Sequence, residues 1–194
     1  ETLITGIGQG YTQTTPIQLC LMTAQIANGG YKITPKILTD DNQLTSEQVK
    51  RAMLNNNNDK PFEKLFKEQK NIKIVQDSMF GSTNELRGTS YKSRIDDPKY
   101  QFAGKTGTAQ VKRISKRERE LDLKTSQIPY EERDHALYVA FGPYKNPRYS
   151  LSIIVEHGGS GSSAAAPMAT KLFKLIIDRH ELRKQVSDFK EFNI

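Results

Sequence analysis

The sequence predicts an α+β domain in which helices pack against an antiparallel sheet. Residues 137–141 and 149–156 have the composition of strands, and the glycine, proline and asparagine residues between them are typical of a hairpin connection. A further strand is predicted near residues 100–111, and segments with helical periodicity lie at residues 15–28 and 72–80. The apolar run inside 149–156 predicts a central position in the sheet for that strand.

The helix at residues 15–28 is predicted from both of its ends. Thr15 favours the N-cap and Pro16 suits the first helical position, whereas Gly29 and Gly30 are residues that end helices. Apolar side chains occupy most of the circumference of this helix. That pattern predicts a helix buried in the core.

A last helix is predicted after a glycine-rich turn. We expect Ser162 or Ser163 to cap it and Pro167 to lie in its first turn. The predicted buried stripe consists of Met168, Leu172, Leu175 and Ile176, flanked by Phe173 and Ile177. Residues 183–194 form a charged tail, so the domain proper is expected to span residues 1–182.

The remaining segments carry weaker patterns. Residues 1–14 are expected to form a loop, 31–38 an extended segment, 46–54 a helix and 55–59 a mobile polar loop. Charges of both signs in residues 112–135 predict an exposed, partly helical insertion.

Composition excludes several classes of protein. The 194 residues carry 29 Lys and Arg against 22 Asp and Glu, a net charge of +7 that favours anionic partners. Nucleic-acid binding is not predicted, because the basic residues of 112–135 are interleaved with acidic ones. The single Cys rules out an internal disulfide, and with only 3 scattered His beside it we expect no metal and no cofactor. No apolar run among these residues is long enough to cross a membrane.

The strongest chemical signal is the tetrapeptide Lys105-Thr106-Gly107-Thr108. On a strand, alternation places Lys105 and Gly107 on one face and the two threonines on the other. Lys105 supplies positive charge, the threonine hydroxyls can donate to a carboxylate, and Gly107 lets a ligand backbone lie flat against the strand. An extended peptide can bind such a strand through main-chain hydrogen bonds. A phosphate-binding loop is excluded, because Lys99 stands where that motif needs its first glycine.

Further motifs surround this tetrapeptide in a defined order. They are GIGQGY at 6–11, TTPIQL at 14–19, ANGG at 27–30, AGKTGTAQV at 103–111 and EHGGSGSSAAAP at 156–167. Together they resemble the C-terminal half of the transpeptidase domain of class B penicillin-binding proteins, and most of all its elongation-type branch. Lys-Thr-Gly is itself one of the signature motifs of these enzymes. The resemblance runs from about residue 4 to about residue 180.

The resemblance implies part of a transpeptidase/β-lactamase-like fold and a serine acyl-enzyme mechanism. Enzymes of this family acylate their serine with the penultimate D-Ala of a peptidoglycan stem peptide and pass the acyl group to a second stem peptide; β-lactams acylate the same serine. By the family's pattern, Lys105 supports proton transfer, while the Thr106 and Thr108 hydroxyls bind the terminal carboxylate of substrate or drug. Gly107 lines the peptide-binding strand, and the backbone N–H of Thr108 completes an oxyanion hole.

Two motifs of the family are not found in their usual order. Ser-x-x-Lys and Ser-x-Asn should precede residue 6, whereas the matching strings at 187–190 and 82–84 follow it, so we expect neither to be catalytic. We therefore expect the chain to be part of a longer protein, to lack the nucleophile and to be inactive alone. A fluorescent penicillin should leave no covalent adduct on it in a gel. The family's upstream strands would complete the sheet beside 149–156, so we expect an open edge there that favours self-association.

Partners and location follow from the resemblance alone. It implies binding of peptidoglycan stem peptides and β-lactams and association with a shape-determining glycosyltransferase complex. It also implies a place on the periplasmic face of the bacterial inner membrane, through an N-terminal anchor outside these residues. Two alternatives stay open within the superfamily: a D,D-carboxypeptidase or β-lactamase-type hydrolase, and a non-catalytic β-lactam sensor. Cys20 is expected to serve packing and His157 to stabilise a turn.

Overall fold

The structure, a computed structural model, describes residues 2–35 except 7, 9 and 11, residues 63–112, and residues 120–191 except 122. The helices are α1 (Thr2–Gly6), α2 (Pro16–Ala27), α3 (Gln69–Asn84) and α4 (Ala166–Glu191). The strands are β1 (Ala103–Ala109), β2 (His135–Gly142) and β3 (Tyr149–Val155). Short 3₁₀ turns lie at Tyr91–Ser93, Thr125–Gln127 and Tyr130–Glu132, and a π-helical turn at Gly161–Ala165 precedes α4.

The strands form one antiparallel sheet in the order β1-β2-β3, which confirms the predicted α+β architecture. Within the described residues β3 lies at the edge and pairs only with β2, so its predicted central position is wrong there, whereas the open edge expected beside it is observed. Its apolar character has another cause. Ile153 and Val155 pack into the core beneath α4, while Ser150 on the opposite face contacts Cys20 of α2. A strand covered by helices on both faces is apolar even at a sheet edge.

Two hydrophobic clusters hold the sheet between the helices. The larger one lies between the sheet and α4 and includes Phe102, Tyr138 and Phe173, all fully buried. The rings of Phe102 and Phe173 stack with their centroids 4.8 Å apart. The smaller cluster includes Met79 of α3 and Phe141, whose side chain lies on the other face of the sheet. The sheet is therefore the middle of three layers.

Helix α2 has the predicted ends but not the predicted burial. Thr15 and Gln18 form a capping box, in which each side chain accepts a hydrogen bond from the backbone N–H of the other, at 3.3 Å and 2.8 Å. However, Ile17 is 64% exposed and Met22 is 44% exposed. The prediction of a core helix is wrong for the described structure, because α2 packs one side against the sheet and leaves the other side open.

The buried stripe of α4 also differs from the predicted one. It consists of Ala166, Ala169, Phe173 and Ile177, positions that share one face at helical spacing. Of the residues predicted for it, Met168, Leu172 and Leu175 are exposed and Ile176 is half-buried. Alanine at two of the four buried positions leaves little side-chain bulk between helix and sheet. A prediction weighted toward large apolar side chains misses such a stripe.

The start of α4 departs from the prediction as well. The carbonyl oxygen of Ser160 accepts a hydrogen bond from Ala164 N at 2.9 Å, and Ser160 is the N-cap residue of the π-helical turn. Ser162 and Ser163 lie inside this turn rather than at the N-cap of α4, so the predicted cap is wrong. Pro167 lies in the first turn as predicted, and the backbone of the charged residues 183–191 continues the same helix.

The remaining predicted segments agree with the structure to different extents. Helix α1 occupies part of the segment 1–14, which was expected to be a loop, and α3 extends beyond the predicted 72–80 at both ends. In the predicted extended segment 31–38, Tyr31 forms an isolated antiparallel bridge with Lys64, and residues 36–38 lie outside the described residues. The segments 46–59 and 113–119 lie outside the described residues. Among the helices that the structure describes, none combines a bilayer-spanning length with a sufficiently apolar sequence.

Candidate active site

Strand β1 carries the tetrapeptide and forms one edge of the described sheet. Lys105 lies opposite Val139 and Gly107 opposite Leu137, while Thr106 lies opposite the buried Tyr138. The alternation predicted for the tetrapeptide is therefore confirmed. The two threonines share the face of the sheet that packs against α4, and Lys105 and Gly107 share the face toward α2 and α3.

Lys105 is exposed and lines an open groove of about 920 Å³ between α2, α3 and β1. The apolar side chains of this groove are Met22, Ile26, Ile74, Val75, Met79 and Val139. The Lys105 ammonium donates a hydrogen bond to the carbonyl oxygen of Thr106 at 2.7 Å, along its own strand. The strand is thus accessible, with a cation beside an apolar groove, as the binding of a peptide with an anionic end requires.

A carboxylate lies on the same groove. Asp77 of α3 lines it and accepts hydrogen bonds from the Lys73 ammonium and the Tyr144 hydroxyl. The hydrogen bond from Lys73, with a smaller contribution from Tyr144, lowers the pKa of Asp77 below its ordinary value. Asp77 is therefore ionised and paired at neutral pH, which leaves it unsuited to take a proton from a substrate there.

The two threonines of the tetrapeptide have different surroundings. Thr108 is exposed, whereas Thr106 is half-buried and its Oγ1 lies 3.3 Å from Oγ1 of Thr89. Thr89 belongs to the loop between α3 and the turn Tyr91–Ser93. No motif marks Thr89 in the sequence, and sequence reasoning missed it. Its contact with Thr106 arises only because this loop folds back against the end of α3.

Glycines shape the strand around the tetrapeptide. A Cβ on Gly161 would lie 2.4 Å from Leu137 O and 2.7 Å from Gly107 O, so the π-helical turn presses directly on the backbone of β1 and β2. At Gly107 itself, an added Cβ would meet only Leu137 Cβ at 3.3 Å. A side chain at Gly107 would therefore crowd Leu137, and glycine keeps the strand flat at this position.

The Ser-x-Asn string at 82–84 serves the structure in another way. It forms the last turn of α3, where Thr83 Oγ1 lies 2.9 Å from Tyr138 OH and Asn84 Nδ2 donates to Phe102 O at 2.9 Å. Burial raises the pKa of Tyr138, and its hydrogen bonds with Ser90 and Thr83 oppose that shift only in part. A neutral, buried hydroxyl network at this point ties α3 to the sheet.

His157 and Cys20 have the structural surroundings expected for them. The backbone of His157 has φ +54°, its N–H donates to His135 Nδ1 at 3.0 Å, and its own Nδ1 lies 3.1 Å from Arg133 O. It therefore stabilises the turn after β3. The sulfur of Cys20 is half-buried, 3.2 Å from Ser150 Oγ. Among the described residues, no cluster of His, Cys, Asp or Glu is arranged to hold a metal ion.

Comparison with known sequences shows which proteins this chain resembles. The profile described as "Penicillin binding protein transpeptidase domain" matches residues 1–174. The peptidoglycan D,D-transpeptidase MrdA of Salmonella typhimurium is 33% identical over 178 residues, which are 92% of this chain and 27% of that protein. MrdA of Acinetobacter baumannii is 36% identical over 171 residues, or 85% of this chain and 23% of that protein. The chain spans about a quarter of the length of these relatives.

Solved structures give the same result. Penicillin-binding protein 2 of Pseudomonas aeruginosa, in complex with WCK 5153, is 37% identical with a TM-score of 0.63, over 90% of this chain and 32% of that chain. The homologous protein of Helicobacter pylori, in complex with MreC, is 31% identical with a TM-score of 0.63, over 93% of this chain and 27% of that chain. These likenesses confirm the predicted transpeptidase/β-lactamase-like fold and the predicted similarity to the elongation-type branch.

Proposed function

Because the chain belongs to the penicillin-binding protein transpeptidase family, we propose that it forms one side of the cleft of a serine-type peptidoglycan D,D-transpeptidase. The observation that carries the proposal is the placement of the tetrapeptide at residues 105–108. It lies on an outer strand beside an open groove, with its lysine exposed toward that groove. A strand of this kind can bind the end of an extended stem peptide along its length.

Each residue of the tetrapeptide has a role in this proposal. Lys105 provides positive potential for the anionic end of the substrate and supports proton transfer from the serine. The hydroxyls of Thr106 and Thr108 donate hydrogen bonds to the terminal carboxylate, and such bonds to a charged acceptor are the strong ones. The backbone N–H of Thr108 donates to the oxyanion, and Gly107 admits the peptide backbone. One oxyanion donor of this type lowers the barrier by about 3–4 kcal/mol.

The proposed reaction has two acyl transfers. The serine oxygen attacks the carbonyl carbon of the penultimate D-Ala, the C–N bond to the terminal D-Ala breaks, and that D-Ala leaves with the serine's proton. The amine of a second stem peptide then attacks the ester carbonyl, the C–O bond to the serine breaks, and the serine regains a proton. The serine would come from the family's Ser-x-x-Lys motif, whose place in the family order lies ahead of residue 6.

The cellular setting is proposed from the relatives. The enzyme would act at the periplasmic face of the bacterial inner membrane, on peptidoglycan stem peptides, and would be acylated by β-lactams. The Helicobacter pylori homologue was solved in complex with MreC. We extend to this protein an association with a shape-determining assembly of that kind. The net charge of +7 suits approach to anionic wall peptides and polymers.

The test is acyl transfer by a transpeptidase domain that carries residues 1–194 together with the family's serine motif. With a donor peptide ending in D-Ala-D-Ala and an acceptor peptide bearing a free amine, mass spectrometry should detect the cross-linked dimer and one released D-Ala per cross-link. Prior treatment with benzylpenicillin should abolish the product. Residues 1–194 alone should give no dimer and no covalent penicillin adduct.

Each alternative predicts a different outcome. Released D-Ala with only hydrolysed donor, at saturating acceptor, would identify a carboxypeptidase-type hydrolase and overturn the transpeptidase proposal. Penicillin binding without turnover of the peptide would identify a sensor and overturn it as well. A covalent adduct on residues 1–194 alone would show that the nucleophile lies among these residues.

A further inference from the structure

The Thr106 hydroxyl has a partner outside all the motifs of the sequence, the hydroxyl of Thr89. Their Oγ1 atoms lie 3.3 Å apart, and Thr89 Oγ1 in turn lies 3.1 Å from Ser82 Oγ in the last turn of α3. The three hydroxyls form a row that begins on α3 and ends on the strand that carries Lys105. Each hydroxyl has one proton and can both donate and accept.

The loop that carries Thr89 is held in place by other groups. Gly88 N donates to Glu85 O at 2.8 Å, and both the backbone N and the hydroxyl of Ser90 donate to Ser82 O at 3.0 Å. A Cβ on Gly88 would lie 2.4 Å from Ser82 O, so the loop touches the end of α3 directly. The side chain of Thr89 is exposed. Because Gly88 and Ser90 anchor the loop, the Thr89 hydroxyl is not needed to hold the loop in place.

The same loop is tied to the strand opposite Thr106. Tyr138 is the cross-strand neighbour of Thr106, and its buried hydroxyl lies 3.0 Å from Ser90 Oγ and 2.9 Å from Thr83 Oγ1. The loop and strand β1 are thus both positioned by β2. This arrangement brings the Thr89 and Thr106 hydroxyls within hydrogen-bonding distance, which is the condition for one to orient the other.

A bound carboxylate would set the direction of hydrogen bonding along the row. If Thr106 donates its single proton to the carboxylate, it can only accept from Thr89, and Thr89 can accept from Ser82. Hydrogen bonds in such a chain polarise one another, so Thr106 becomes a stronger donor. Without Thr89, the Thr106 hydroxyl would lose the donor that holds its oxygen and would turn among several orientations.

We propose that Thr89 is a positioning residue for recognition of the substrate's terminal carboxylate, acting by a hydrogen bond that directs the Thr106 proton toward that carboxylate. The inference rests on the proposed function, in which Thr106 binds this group. It predicts an effect confined to ligands with a free carboxylate, because a hydrogen bond to a charged acceptor is about twice as strong as one to a neutral acceptor.

The test uses acylation rates in the serine-bearing transpeptidase domain that carries residues 1–194. The probes are a penicillin with its free carboxylate and the same penicillin as the methyl ester. Thr89→Val should slow acylation by the free acid about 5- to 10-fold, the scale of one lost hydrogen bond between neutral hydroxyls, and should change the ester rate less than about twofold. Thr89→Ser keeps the hydroxyl and should stay close to the parent rate for both probes.

The Thr106→Val variant and the double variant complete the design. Thr106→Val should also slow the free acid selectively, and adding Thr89→Val to it should have little further effect, because Thr89 acts through Thr106. An equal slowing of acid and ester by Thr89→Val would show a merely structural role and overturn the inference. So would an unchanged free-acid rate in Thr89→Val beside a slowed Thr106→Val. If Thr106→Val itself leaves the free-acid rate unchanged, the proposed carboxylate site fails instead.

Discussion

Lys105→Ala is expected to lower the rate of serine acylation by about 100-fold or more, the scale of a lost proton-transfer and electrostatic contribution. Lys105 is exposed beside the groove, and its ammonium donates to the carbonyl oxygen of Thr106 on the proposed substrate-binding strand. In the proposed mechanism, removing it takes away the positive potential for the anionic ligand and the support for proton transfer from the serine. The measurement is the second-order rate of labelling by a fluorescent penicillin in the serine-bearing domain that carries residues 1–194.

Two controls separate this effect from general damage. Lys171→Ala removes the same charge from an exposed position on α4, on the other side of the sheet from the groove, and should leave the rate within about twofold. Cys20→Ala removes a half-buried packing group from α2 and should reduce acylation far less than Lys105→Ala. Equal acylation rates in the Lys105 and Cys20 variants would remove the role assigned to Lys105.

Phe173→Ala is expected to lower the free energy of unfolding by about 3–5 kcal/mol, the usual cost of truncating a buried aromatic side chain. Phe173 is fully buried and stacks on Phe102, and it belongs to the cluster between α4 and the sheet. The truncation removes both the buried area and the ring contact and leaves a cavity. Denaturant unfolding monitored by circular dichroism would measure the change.

Leu175→Ala is the matched control on the same helix. Leu175 is 64% exposed, although the sequence pattern assigned it to the buried stripe, so its truncation should change stability by no more than about 0.5 kcal/mol. A large loss for Leu175→Ala together with a small one for Phe173→Ala would mean that the helix is rotated relative to the described structure. That result would restore the stripe predicted from the sequence.

The facing of the tetrapeptide's side chains could be predicted because it depends on consecutive residues. Alternation along a strand is a local property, so the separation of Lys105 from Thr106 onto opposite faces followed from the sequence and is confirmed by their pairing with Val139 and Tyr138. The ends of α2 could be predicted for the same reason, since capping depends on residues within one turn.

Burial was predicted less well, because it depends on what the rest of the chain places against each element. Helix α2 has an apolar sequence, yet Ile17 on it is open to solvent. The alanines and Phe173 of helix α4 face the sheet, whereas Leu172, which is larger than alanine, faces away from it. A sequence shows which faces of a helix are apolar. Which of these faces turns toward the sheet depends on how well its side chains fit against the sheet in the packed domain.

The sequence by itself determined the family, the strand that carries residues 105–108 and the alternation of side chains along it, because each of these depends on local patterns and their order along the chain. Only the tertiary structure decided which side of each helix is buried, that the strand borders an open groove, and that the hydroxyls of Thr89 and Thr106 meet. These contacts join segments that are distant in the chain, and their existence depends on the packing of the whole domain around the sheet.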